Sequence, residues 1–232
     1  MQAEGQAYEG AGTELLFRTF LQKVFAWMVL GLAITGVIGF ALSDSISAKL
    51  RAGETPGWWF WGAIIAQIAV VLILSFAINK ISAAAATVLF LGYSALTGLT
   101  FAFLFAVYSA SDVIAAFFAT SGMFAVLAAI GYFTKKDLTS WGPILFAGLI
   151  GVLIGGLIGA FFSMAIYNIV FIWIGLLVFM GLTIYDVNRL KRQNLAGADK
   201  GLVQKNAIIG ALMLYLDFIN IFIRILSILG NR

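Results

Sequence analysis

Long apolar runs alternate with short polar ones along the chain. Seven runs are long enough to matter, at roughly 24–43, 58–79, 82–105, 113–133, 141–162, 168–188 and 207–230. A helix needs about 20 apolar residues to cross a bilayer, and each run is near that length. The pattern predicts an all-α integral membrane protein with seven transmembrane helices. The longest connections, near 44–57 and 189–206, are too short for a folded domain. The expected organisation is an N-terminal tail and interfacial lead-in over residues 1–23, then a single transmembrane domain over 24–230. Residues 1–13 are polar with Gly and Ala and read as disordered. From Leu15 to Phe25 the apolar positions 16, 17, 20, 21, 24 and 25 form a stripe that suits the membrane interface. The first run lacks an early short apolar core and an A-x-A-type site, so it is predicted to be an uncleaved span.

The last run, 207–230, breaks the pattern because Asp217, Asn220 and Arg224 lie inside it. A charge at membrane depth costs about 2.5–3.5 kcal/mol on insertion scales. On a helix, Asn206, Gly210, Met213, Asp217, Asn220 and Arg224 step by four and three and share one face. A polar stripe cannot face lipid, so it must turn toward other helices or a wet cavity. This predicts that the last helix is central in the bundle and that Asn206, Met213, Asn220 and Arg224 line a pore-facing stripe. Asp217 and Arg224 are two turns apart, about 10.5 Å along the axis, so each needs another partner.

Composition sharpens the search for that partner. Of 232 residues, 62% are hydrophobic and 10% charged, and the mean hydropathy is +1.05. There is no cysteine and no histidine. Disulfides, cysteine nucleophiles, Ser-His dyads and most zinc sites are therefore excluded. A pH response near neutrality would have to come from a perturbed carboxylate. Other membrane-depth candidates are Asp186 near the inner end of the sixth run and Lys80 at the inner end of the second. Counting from the outer face, Asp186 lies roughly 24 Å down and Asp217 roughly 22 Å down their antiparallel helices. Neighbouring helices would bring the two carboxylates together. In a low dielectric such a pair does not fully ionise and shares a proton. Lys80 is either a counter-charge for that pair or an interfacial anchor that snorkels. Asp186 also reads as a helix-end residue beside Arg189. Gln67, in mid-span, reads as an interhelical hydrogen bond.

The net charge of +4 reflects topology and gives no reason to expect a nucleic-acid partner. With the N-terminus cytoplasmic, Arg18, Lys23, Lys80, Lys135, Lys136, Arg189, Lys191, Arg192, Lys200 and Lys205 fall inside. Lys49, Arg51 and Arg232 fall outside. This asymmetry predicts that the C-terminus lies outside, and the short tails and the lack of cysteine suggest a cell (inner) membrane. Lys49 and Arg51 run against the rule. Trp58, Trp59 and Trp61 fit an aromatic belt at the same end. In the fifth run Gly151, Gly155 and Gly159 form two overlapping GxxxG units, predicted to pack closely on another helix of the chain or on a partner.

The segments LYLDFIN at 214–220 and GLTIYD at 181–186 resemble the Bax inhibitor-1 family, also called the transmembrane Bax inhibitor motif family. YSALTGLTFAF at 93–103 and GYFTKKDLTSWG at 131–142 are similar to family segments too. The resemblance implies six helices around a central last helix, and a pH-sensitive calcium leak in bacterial members. It implies that Asp186 and Asp217 act as the pH sensor and that Lys80 takes the place of a latching basic residue, often arginine. Arginine's bidentate fork is missing there. Arg224 stands where a neutral residue is usual, and a cation there opposes calcium unless paired or turned away.

The leading expectation is thus a pH-sensitive calcium leak channel with no catalytic residues, no cofactor and no resident metal beyond transient Ca2+ at Asp186 and Asp217. Its partners would be the lipid bilayer and calcium ions. The alternative is a non-conducting regulator that binds a membrane protease or another membrane partner. An intramembrane aspartyl protease would need a GxGD-type motif, which the sequence lacks.

Overall fold

The computed structural model describes residues 2–54, 57–162, 165–193 and 198–230, with side chains described outside 2–16, Asn79 and 157–168. The described residues form α-helices and short 3-10 turns. They are α1 (Gln2–Arg51), α2 (Trp58–Phe76), α3 (Ala83–Val107), α4 (Ala110–Phe133), α5 (Gly142–Phe162), α6 (Ala165–Lys191) and α7 (Lys200–Leu229). All seven are long and apolar enough to span a membrane. The protein is an all-α integral membrane protein.

Three boundaries differ from the sequence reading. The backbone of the polar start is helical from Gln2, where disorder was expected. Proline is absent before Pro56, so nothing in the sequence forces a break earlier. At the other end, α1 continues to Arg51 and stops at Gly53, whose φ of 79° is the left-handed conformation that favours glycine. Gly53 N–H donates to Leu50 O at 3.1 Å and Glu54 N–H to Lys49 O at 3.0 Å. Together they make a Schellman cap. The second span is shorter than read: α2 ends at Phe76, and Ile78–Lys80 is a 3-10 turn. Helix α4 begins at Ser109, whose hydroxyl accepts from Asp112 N–H at 3.2 Å. The carboxylate of Asp112 suits the positive end of the helix dipole.

The chain divides into two compact units. The first holds α1, α2, α3 and α7 as far as Tyr215. Here α1 and α3 approach closely: a Cβ on Gly98 would lie 2.9 Å from Thr35 O, and one on Gly31 would lie 2.7 Å from the Phe90 ring. Phe20, Val24, Ala86, Phe90, Ala102 and Tyr215 are buried in this unit. Gln67 Nε2 donates to Leu96 O at 3.2 Å, the interhelical bond expected of it. The second unit holds α4, α5, α6 and α7 from Leu216. Its core includes Ala116, Phe124, Leu127, Phe179, Val187, Ile221 and Leu226.

Helix α7 is the most enclosed of the seven. Its span is 56% buried, against 11–39% for the others. Large apolar side chains stay exposed on the others, including Phe40, Phe76, Phe118 and Ile144. Lipid is the solvent that such faces require.

Candidate functional site

The site is built in the second unit from α6 and the C-terminal part of α7. Thr183 and Asp186 are three residues apart on α6 and so lie on one side of it. Thr183 is fully buried, and its hydroxyl donates to Phe179 O at 2.8 Å. The same side chain interacts with Asp217. Asp217 is only 4% exposed, and its Oδ2 is buried with no hydrogen-bond partner among the described residues. Asp186 is half-buried, and its charge acts on Asp217. Arg189, one turn further on, acts on Asp186. The two aspartates singled out in the sequence are therefore electrostatic neighbours, and Thr183 stands beside them.

Two features hold the aspartates in place. On α7, the next residue, Phe218, packs on Phe124 and Phe117 of α4, with ring centroids 5.6 and 6.0 Å away. Between those two phenylalanines in the sequence lies Thr120, fully buried, its hydroxyl without a partner among the described residues. On α6, Asn188 clamps the loop that follows α4. Its Nδ2 donates to Gly131 O at 3.3 Å and to Thr134 O and Lys136 O, both at 3.4 Å. Its Oδ1 accepts from Leu138 N–H at 3.4 Å. Lys191 Nζ donates to Tyr132 O at 2.7 Å and lies 5.4 Å from that ring's centroid. Gly131 lets α4 touch α6: a Cβ there would meet Ile184 O at 2.5 Å. The α6 backbone two residues before Asp186 is thus fixed against α4.

The polar stripe on α7 behaves differently from expectation. Asn206, Met213, Asn220 and Arg224 are only half-buried, whereas Ala207, Ile208, Ala211, Leu214, Ile221 and Leu226 beside them are fully buried. Apolar side chains fill the tight contacts, and the stripe is left as the more open side of the helix, with Gly210 and Asp217 the buried exceptions. Asn220 Nδ2 returns to its own helix, donating to Leu216 O at 2.8 Å. Arg224 lies 5.4 Å over the Phe171 ring and fits against Gly175, where a Cβ would come within 2.8 Å of its Nε. That Nε is buried without a hydrogen-bond partner among the described residues. A π face takes the place of a carboxylate.

Lys80 ends the 3-10 turn after α2, in the first unit, and its side chain is exposed. That position suits an interfacial anchor. The glycines of α5 also depart from expectation. Gly155 is buried, but a Cβ on Gly151 would meet nothing within 4 Å, and the Gly159 side-chain position lies outside the described residues. Packing on α6 uses another face, where a Cβ on Gly148 would lie 3.1 Å from the Val178 side chain and Leu145 fills the space beside Gly181. A spacing of four leaves open which face of α5 meets its neighbour.

Sequence reasoning missed Thr183, Thr120 and Asn188. Only Thr183 carried a signal: it lies three residues before Asp186, a spacing that returns to one side of a helix, whereas Asn188, two residues after it, does not share that side. Thr120 carried none.

Comparison with known proteins follows the same residues. The family described as "Inhibitor of apoptosis-promoting Bax1" matches residues 17–232. The chain is 40% identical over 217 residues to the inner membrane protein YbhL of Escherichia coli K12, covering 93% of this chain and 92% of that one. A protein of Borreliella burgdorferi is 37% identical over 219 residues, covering 94% of each chain. One of Deinococcus radiodurans is 36% identical over 217 residues, covering 93% of this chain and 91% of its own. On a match that takes in all seven spans and both aspartate segments, this chain belongs to the Bax inhibitor-1 family.

Proposed function

We propose that this protein is a pH-sensitive cation leak of the bacterial inner membrane, with calcium as the permeant ion and Asp186 and Asp217 as its sensor. The observation that carries the reading is Asp217: a buried carboxyl, one oxygen unpartnered, with a second carboxyl acting on it. Two charges so placed in low dielectric repel, and the pair holds a proton between them until the surroundings take it. Losing that proton adds a charge to a buried position of the most enclosed of the seven helices. The response open to α7 is to shift. The half-buried stripe of Asn206, Met213 and Asn220 supports a hydrated face on the same helix. Calcium takes 6–8 oxygen ligands, more than two aspartates and a threonine supply, which suits passage better than residence. Arg224, turned onto Phe171, is held by an aromatic ring. The cytoplasmic N-terminus, and Lys80 as a counter-charge, belong to the same reading.

The test is flux from calcium-loaded vesicles across a pH series, with Asp186→Asn and Asp217→Asn made separately. Each variant should flatten the pH dependence of the leak. An unchanged leak with an unchanged profile in both would sink the proposal.

One observation favours a second reading, a regulator that binds another membrane protein. The Gly151 side of α5 is open, and Ile150, Leu153 and Ile154 around it are exposed. There a partner helix could come close. Gly151→Leu should then abolish co-purification of a partner and leave vesicle flux intact.

A further inference from the structure

At the shared end of α1 and α2 a small cleft of about 90 Å³ opens between the end of α1, the start of α2 and α3. Its walls are Ile46, Leu50, Trp59 and Phe103, and its two charged residues are Lys49 and Glu54. The Schellman cap explains why those two face one cleft. In that motif the residue three back from the cap and the residue two beyond it come side by side, and an apolar pair frequently fills the positions. Here the positions hold Lys49 and Glu54, whose backbones are joined by the 3.0 Å bond from Glu54 N–H to Lys49 O. Among the described residues the two side chains form no ion pair. A cation and a carboxylate are therefore held on one small cleft, each with its charge unused.

The surroundings say what kind of molecule reaches it. Trp58 and Trp61, at the start of α2, are 87% and 62% exposed, as expected of rings lying among lipid headgroups. Trp59 faces the cleft and stacks on Phe103, with centroids 5.6 Å apart. Lys49 and Arg51, in the last turn of α1, are also the residues that run against the charge asymmetry of the other loops. A basic residue at this end has a use if it holds an anion.

We propose that this cleft binds the headgroup of a zwitterionic phospholipid bearing a primary amine, a phosphatidylethanolamine. The Lys49 ammonium donates to the phosphate, and the Glu54 carboxylate accepts from the lipid ammonium, two charge-assisted hydrogen bonds. Trp59 offers its π face to the same ammonium. Size and charge together select the amine. The three added methyls of choline would overfill so small a space and remove the N–H donors that Glu54 accepts from. A phosphatidylglycerol would satisfy Lys49 but offer Glu54 no cation.

The experiment uses the full-length protein in neutral detergent, titrated with short-chain phosphatidylethanolamine, phosphatidylcholine or phosphatidylglycerol. Binding is read by native mass spectrometry and by the rise in melting temperature. Wild type should bind the ethanolamine lipid about tenfold more tightly than the other two, and Lys49→Gln and Glu54→Gln should each weaken it by about tenfold. Both side chains are exposed, so the lipid-free melting temperatures of the variants should equal that of wild type. Equal binding of the three lipids, preference for phosphatidylglycerol, or wild-type binding by either variant would overturn the proposal.

Discussion

The two units treat buried polar groups in opposite ways. In the first, Thr35 of α1 sits at the centre of a saturated cluster. Its hydroxyl is within hydrogen-bonding distance of Gly31 O at 3.0 Å, Ser94 O at 2.9 Å and Tyr215 Oη at 2.6 Å. Phe90 and Tyr93 pack edge-on against the Tyr215 ring at 5.9 and 5.7 Å. In the second unit three side chains on the spans keep a buried polar atom without a partner among the described residues: Thr120, Asp217 and Arg224. Leaving such a group unmade costs about 1–3 kcal/mol. Among the described residues the first unit's unpartnered buried atom, Gln193 Oε1, lies off the spans, so the spare polar capacity within the spans lies where Asp186 and Asp217 are. The difference separates a part that holds α7 in register from a part whose charge state has something to change.

Loose packing in the second unit would give the same polar pattern without any function, and Gly131 decides against it. A Cβ there would press on the backbone carbonyl of Ile184, which cannot swing away as a side chain could. Gly131→Ala should therefore destabilise the protein by about 2–3 kcal/mol, the cost of overpacking a rigid contact. It should also disturb the pH response, because α6 carries Asp186 two residues further on. Thermal unfolding in detergent measures the first effect and vesicle flux the second. A variant as stable as wild type would mean that the second unit is soft and its unpartnered atoms incidental.

A single substitution made in each unit tests the comparison directly. Valine matches threonine in shape and lacks only the hydroxyl. Thr35→Val strands the Tyr215 hydroxyl, which keeps only an interaction with Thr97, and should cost about 1–2 kcal/mol. Thr120→Val removes a hydroxyl that has no partner and should be neutral or stabilise by about 1 kcal/mol. Opposite signs, read as opposite shifts in melting temperature, would uphold the contrast. Losses of equal size would show that Thr120 has a partner, and the contrast would fall.

Much of this was legible in the sequence, for physical reasons that also mark the limits. Lipid enforces long apolar runs, so hydropathy located the spans, and it exposed Asp217 and Asp186 because charge is what the bilayer penalises most. Helical geometry put the two at matching depth. Hydroxyls are cheap in a span because they bond back to their own helix, as Thr183 does to Phe179, so Thr183 and Thr120 did not stand out. The glycine spacing in α5 left open which face meets α6, because a repeat of four fits more than one face, and a Cβ on Gly148 would meet Val178 where one on Gly151 would meet nothing within 4 Å. Burial of the apolar sides of α7 left its stripe half-open, because packing rewards apolar area and nothing in the pattern fixes where the gaps fall.

The smallest expected effect lies outside the spans, in the loop that Asn188 clamps. Asp137 Oδ1 accepts from the Thr139 hydroxyl at 2.6 Å and from Thr139 N–H at 2.9 Å, with Arg192 Nε 3.8 Å away. The Thr139 hydroxyl, then its backbone N–H, then the Arg192 charge hold the Asp137 carboxyl below its ordinary value of 3.8. A carboxyl lowered on folding gives stability that is fully present above the unfolded value, near 3.8, and lost as pH falls through the lower folded value. Asp137→Asn should therefore be slightly less stable than wild type at about pH 6, and the gap should close at the acid end. The effect is small because the side chain is 60% exposed and water screens it. Melting curves of the two proteins at each pH give the answer. No gap at about pH 6 would mean that the loop is held by Asn188 and Arg192 alone and that Asp137 adds nothing to the clamp beside Asp186. A gap that persisted in acid would mean that the carboxyl's charge is not what stabilises the loop.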